Sequence, residues 1–88
     1  MSIEFDHRKA ASNLKKHGVS FDEAASALLD PMALVREDDD TRDEVRFLLL
    51  GMSNTGQLLT VCYALRNEII RLISARLAAK NERRQYEN

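Results

Sequence analysis

A single break in periodicity, at Asp30-Pro31, constrains this 88-residue chain more than any other feature. Upstream of it the apolar and small residues recur at helical spacing; downstream they fall into strand-length runs joined by short linkers. In the first part Asp6 can cap a helix, with Phe5 stapled against Ala10, and Ala10, Ala11, Leu14 and His17 form its repeating stripe. Gly18 stops that helix because a glycine enters the left-handed region without side-chain strain, and Val19 beyond it can fold back. Ser20 and Glu23 then make a Ser-x-x-Glu capping box, and Phe21, Ala24, Ala25 and Leu28 follow at i, i+3, i+4 and i+7. The residue before a proline is driven out of the helical region, so the second helix ends at Asp30.

In the second part strands are expected over 33–36, 45–50, 58–65 and 69–74, with an acidic turn over 37–43. The linkers 52–56 and 66–68 have hairpin length, which predicts an antiparallel meander, and a short strand over 2–5 can add to an edge. Residues 76–86 contain good helix formers and no Pro or Gly, so a C-terminal helix is assigned there. Helices and strands segregated in this way give an α+β fold, one four-stranded antiparallel sheet with helices on one face, in a single domain spanning 1–88. Within 58–65, Leu59, Val61 and Tyr63 are bulky while Thr60, Cys62 and Ala64 are small, so the small face has room for a ligand. Arg46 shares a face with Leu48 and Leu50, and strict alternation puts Arg71 with Ile69 and Ile73.

Function classes narrow from what is missing. No apolar stretch is long enough to span a membrane and no signal segment opens the chain, which makes the cytoplasm the expected location. The lone Cys62 forms no internal disulfide and no zinc motif, and the acidic run does not reproduce a calcium loop, so no metal and no cofactor are expected. The net charge of −1 conceals a segregation: nine acids against Arg36 and Arg42 fall in 20–45, and the remainder is net basic.

Asp6, Lys9, Ala10, Asn13, Lys16, His17, Gly18 and Val19, then Phe21 and Ala24, follow in order the pattern of the BrnT toxins. Arg46, Gly51 and Ser53 continue it, and it resumes through Ile70-Arg71-Leu72-Ile73-Ser74-Ala75-Arg76 and through Glu82, Arg83, Arg84 and Tyr86. The chain thus resembles the BrnT family along nearly its whole length, departing at His7, where the family often has Pro, and at Ala79, where it often has Thr or Ser. Loss of a hydroxyl cap at Ala79 would cost ~1 kcal/mol and shift the start of the last helix toward Ser74. The resemblance implies a compact RelE-like fold, a type II toxin–antitoxin toxin that cleaves RNA without a metal, and neutralisation by a ribbon-helix-helix antitoxin of the BrnA kind, with DNA reached only through that antitoxin.

Metal-free cleavage through the neighbouring 2′-OH needs a base, an acid and cations at the phosphate. His17 is the candidate acid or base, with capping or packing of its helix end as the competing role, and Lys16 beside it can hold a phosphate. Arg46, Arg71 and Arg76 are the candidate phosphate and transition-state ligands, since guanidinium stays charged and offers paired donors. On the expected last helix Arg76, Lys80, Arg83 and Arg84 fall at i, i+4, i+7 and i+8 as a basic stripe for RNA, beside Tyr86, which can stack on a base or pack on the core. The alternative class is a non-catalytic interaction or regulatory module; a DNA-binding role for the second helix is disfavoured by its apolar and acidic composition.

Overall fold

The computed structural model describes residues 2–39 and 44–88, so 40–43 of the expected acidic turn lie outside the described residues. The helices before Asp30 form as their signals dictate. Asp6 accepts a hydrogen bond from the Arg8 N–H at 2.7 Å and opens α1 (His7–His17). Gly18, at φ 71°, closes it by donating to the Leu14 carbonyl at 2.8 Å, and Val19 turns into the core. Ser20 caps α2 (Phe21–Ala27) through the Glu23 N–H. Only that half of the capping box forms, because the Glu23 carboxylate turns away to accept from the Ser53 and Thr55 hydroxyls, which ties α2 to the turn over 53–57.

The sheet comprises β1 (Ser2–Glu4), β2 (Leu34–Glu37), β3 (Arg46–Met52), β4 (Leu58–Arg66) and β5 (Ile69–Leu77), ordered β1-β5-β4-β3-β2. From β2 to β5 it is the expected antiparallel meander, and the N-terminal edge strand is present, parallel to β5. Asn67 and Glu68 both take positive φ between β4 and β5, the backbone of a tight hairpin whose twist matches its strands. α1 and α2 cover one face. There Val19, Phe21, Ala24 and Ala27 pack on Leu59, Val61, Leu72 and Ala75, and burying each of the larger apolar side chains contributes about 2 kcal/mol. Gly51 is required where α2 ends against β3, since a Cβ there would stand 2.7 Å from the Ala27 carbonyl oxygen and 2.9 Å from Leu49 Cδ2.

The C-terminal assignment needs correction. β5 continues to Leu77 through the pairs Thr60↔Arg76 and Leu59↔Leu77, and α3 (Lys80–Glu87) starts later than expected. The helix start does not slide back to Ser74 despite the uncapped Ala79, because pairing with β4 keeps 75–77 extended and the Glu82 carboxylate accepts from the Ala79 N–H at 2.7 Å. Arg76 is therefore a strand residue. The basic stripe of the last helix reduces to Lys80, Arg83 and Arg84, all exposed.

The stripe expected for α1 is also different. Leu14 is half exposed, and the buried residue of α1 is Asn13, 6% exposed. Its side chain takes the place of a missing strand. Asn13 Nδ2 donates to the carbonyls of Ala75 and Val19, both at 2.9 Å, and its Oδ1 accepts from the Ala75 N–H at 3.0 Å. Ala75 lies past the end of β1, where the edge of β5 would otherwise present both backbone groups unpaired. Asn13→Ala leaves three buried groups unsatisfied at about 1–3 kcal/mol each and is expected to lower the unfolding free energy in urea by about 3–5 kcal/mol.

Candidate functional site

The face of the sheet opposite α1 and α2 carries the small residues Thr60, Cys62 and Ala64 of β4 down its centre, as the alternation predicted. Opposed residues share a face, so the strand registers place every other side chain. One row reads Glu4, Arg71, Ala64 and Arg46; the next reads Ser74, Cys62, Leu48 and Arg36; the third reads Arg76, Thr60, Leu50 and Leu34.

Arg71 and Arg76 are five positions apart, so strict alternation would set them on opposite faces. A β-bulge resolves this: Cys62 pairs with Ser74 while Tyr63 pairs with Leu72, leaving Ile73 as an extra residue in β5. Arg71 consequently shares the open face with Ser74 and Arg76, and the expected neighbour Ile73 is the residue displaced from the ladder. Across two interstrand spacings of ~4.8 Å, Arg46 and Arg71 stand about 10 Å apart at the backbone with only Ala64 between them, a gap two arginine side chains can close around an anion.

The three arginines differ in how far they are committed. Arg71 makes one contact to the Glu4 carboxylate, at 3.1 Å. Arg76 is held by both oxygens of Glu82, at 2.8 and 3.1 Å, and its Nη1 also donates to the Leu77 carbonyl. Arg46 Nε is buried and has no hydrogen-bond partner among the described residues. Buried donors are almost always satisfied, so this one calls for a partner from outside the described residues.

α3 lies over the third row of this face, fastened at both ends. At its start, Glu82 holds Arg76. At its other end the Tyr86 hydroxyl donates to Asp30 Oδ2 at 2.5 Å, and Asp30 also accepts from the Met32 and Met52 N–H groups. These bonds, that from Tyr86 foremost, hold the Asp30 carboxyl below its ordinary range, and the same contact pushes the Tyr86 phenol up. Burial pushes the Cys62 thiol up, which keeps it a protonated floor residue. Lys16 and His17, at the end of α1, line a separate cleft with Lys9, Ser12, Asn13, Ile73 and Ser74. That cleft has Ser74 in common with the second row of the open face. The structure thus gathers Arg46, Arg71 and Arg76 on one face and leaves Lys16 and His17 in the separate cleft between α1 and β5, whereas Lys80, Arg83 and Arg84 stand on α3. Sequence reasoning placed Thr60 on this face but missed Glu82 and Asp30 as elements of the region; only the spacing of Glu82 three residues after Ala79 offered a signal. Among the described residues no cluster of three or more His, Cys, Asp and Glu is placed to hold a metal ion, and no helix is long and apolar enough to cross a membrane.

The Glu82 carboxyl is pulled to about 2, first by its hydrogen bonds from Arg76, then by the Ala79 N–H. A carboxyl depressed on folding stabilises the native state fully above its unfolded value of 4.5 and loses that contribution as the pH falls toward about 2. With Arg76 half exposed to screening water, the pair contributes about 2 kcal/mol at neutral pH. Urea unfolding of Glu82→Gln against the unsubstituted chain is expected to show the difference at pH 7 shrinking between about pH 5 and pH 2.

Comparison with known proteins identifies the chain. Among curated proteins, none matches it. The crystal structure of the Brucella abortus ribonuclease toxin, BrnT, is similar at 26% identity with a TM-score of 0.68, over 91% of this chain and 99% of that one. The family model described as the ribonuclease toxin BrnT of type II toxin–antitoxin systems matches residues 5–82. With the RelE-like α+β fold described above, the chain belongs to the BrnT toxin family.

Proposed function

We propose that this toxin is a metal-independent endoribonuclease that acts as a single domain over 1–88 in the cytoplasm, cleaves RNA to arrest translation, and is neutralised by a ribbon-helix-helix antitoxin of the BrnA kind. DNA is engaged only through the antitoxin complex. The observation that supports the reading is the buried Arg46 Nε, without a partner among the described residues, in the same row as Arg71 with only Ala64 between them. A phosphodiester seated there satisfies the Arg46 donor and draws on the donors that Arg71 does not spend on Glu4.

In this reading a base removes the proton of a ribose 2′-OH, the 2′-oxygen attacks the adjacent phosphorus, and the 5′-oxygen leaves with a proton from an acid, giving a 2′,3′-cyclic phosphate. Arg46 and Arg71 stabilise the charge that builds on the phosphate oxygens, and Arg76 joins them from the third row. His17 serves as acid or base from the cleft that it lines together with Ser74. Lys16 from the same cleft, and Lys80, Arg83 and Arg84 from α3, hold the flanking backbone as phosphate ligands that position the strand. Tyr86, whose hydroxyl is engaged by Asp30, presents its ring to the RNA at the end of α3.

Purified protein incubated with RNA in excess chelator is expected to cleave it. Arg46→Ala and Arg71→Ala each reduce the rate by about 10²–10³-fold, the cost of losing one transition-state donor, with Arg76→Ala as the third member of the set. RNA left intact by the unsubstituted protein overturns the nuclease reading, and full activity in all three variants overturns the assignment of the site.

A further inference from the structure

Two buried side-chain polar atoms lack hydrogen-bond partners among the described residues, and both belong to the open face: Arg46 Nε and Thr60 Oγ1. The first belongs to the phosphate row. Thr60 lies in another row, only 4% exposed, and it lines a groove between α3 and the strands β2 and β3. The Thr60 hydroxyl lies toward the Glu82 carboxylate and, last among its polar neighbours, helps to lower it, yet among the described residues it reaches no partner at hydrogen-bond geometry. Leaving a buried hydroxyl unpaired costs about 1–3 kcal/mol, and a valine would fill the same space without that cost.

We propose that this groove is a nucleobase subsite, which takes one base of the RNA strand whose phosphate lies on the arginine row, with the Thr60 hydroxyl and the Gln85 amide reading its edge. The proposal rests on the ribonuclease reading and adds to it where a base is held. Three observations carry it. The cavity has a volume of about 210 Å³, below the roughly 300–1,000 Å³ of sites for drug-sized ligands, which suits one flat ring system and not a whole nucleotide. Leu34, Leu48 and Leu50 supply apolar surface for the faces of a ring, while Thr60 and Gln85 supply hydrogen-bonding groups for its edge. Thr60 is also paired in register with Arg76, one interstrand spacing of ~4.8 Å away, so groove and arginines lie within the reach of a single nucleotide. An aliphatic side chain from a protein partner would fill the apolar part and leave the Thr60 hydroxyl orphaned. A base brings both ring faces and polar edges.

The test is a titration of isotope-labelled full-length protein, followed by amide NMR, with each of the four ribonucleoside 5′-monophosphates and with ribose 5-phosphate. At least one nucleotide is expected to move the signals of Leu34, Leu48, Leu50, Thr60 and Gln85, whereas ribose 5-phosphate leaves them in place. Thr60→Val is expected to weaken that nucleotide roughly three- to tenfold, without affecting ribose 5-phosphate, and to unfold at no lower urea concentration than the unsubstituted chain. Groove signals silent to all four nucleotides overturn the subsite. If Arg46 and Arg71 respond in that experiment, the subsite fails alone and the nuclease reading stands. Groove signals that move only with the protein antitoxin also overturn it, and make the groove a protein-docking site. Nucleotide binding in the groove by a protein that leaves RNA intact separates the two readings in the opposite direction.

Discussion

The fold depends on one buried amide. Asn13 uses both hydrogens of its Nδ2 and its Oδ1 to join the end of α1, the turn into α2 and the exposed edge of β5. β1 accompanies β5 only as far as Arg71, so beyond that point the edge has no strand neighbour, and an apolar helix face would bury backbone groups without partners. An amide is the side chain closest in form to a peptide group, and it satisfies Ala75 in both directions. Because Ala75 follows the bulge by two residues, the same contact fixes the stretch of strand on which the arrangement of Arg71 and Arg76 depends.

The two faces of the sheet are built on opposite principles. Toward α1 and α2 the side chains are apolar, close-packed and fully buried, and they account for the stability of the domain. Toward α3 the packing is incomplete. The helix contributes no buried residue and is retained by polar contacts at its ends, Glu82 with Arg76 and Tyr86 with Asp30, while a groove persists beneath it. Among the described residues two buried polar atoms on this face lack partners, a stability deficit that a ligand engaging them would offset. The modest total charge fits the same division, since Glu4 and Glu82 neutralise Arg71 and Arg76, while Arg46 Nε has no partner among the described residues.

Local signals made much of the architecture legible. Gly18 and Ser20 act within one turn of their own backbone, so the helix boundaries they mark could be read directly from the chain. The contrast of Leu59 and Val61 with Thr60 and Cys62 likewise told which face would be open. What stayed hidden depends on partners remote in sequence. Residues 75–80 have the composition of a helix, and only pairing with β4 holds Arg76 and Leu77 extended. Asn13 stands among residues spaced for an apolar stripe, and nothing nearby announces that Ala75, 62 positions later, lacks a neighbour. Arg46 was identifiable from its place in a strand, but the buried states of its Nε and of the Thr60 hydroxyl, both without partners among the described residues, exist only once the sheet is assembled.

The bulge at Ile73 can finally be seen as a matter of parity. A strand counts its faces in twos, and Arg71 and Arg76 are separated by an odd number of positions; a single unpaired residue converts the odd separation into an even one without moving either the core residues Leu72 and Ala75 or the hairpin at Asn67 and Glu68. The spacing between these arginines therefore matters as much as their identity. Were Ile73 instead paired in the ladder, the chain would keep its sequence, composition and charge, and would turn one of the two arginines toward the helices.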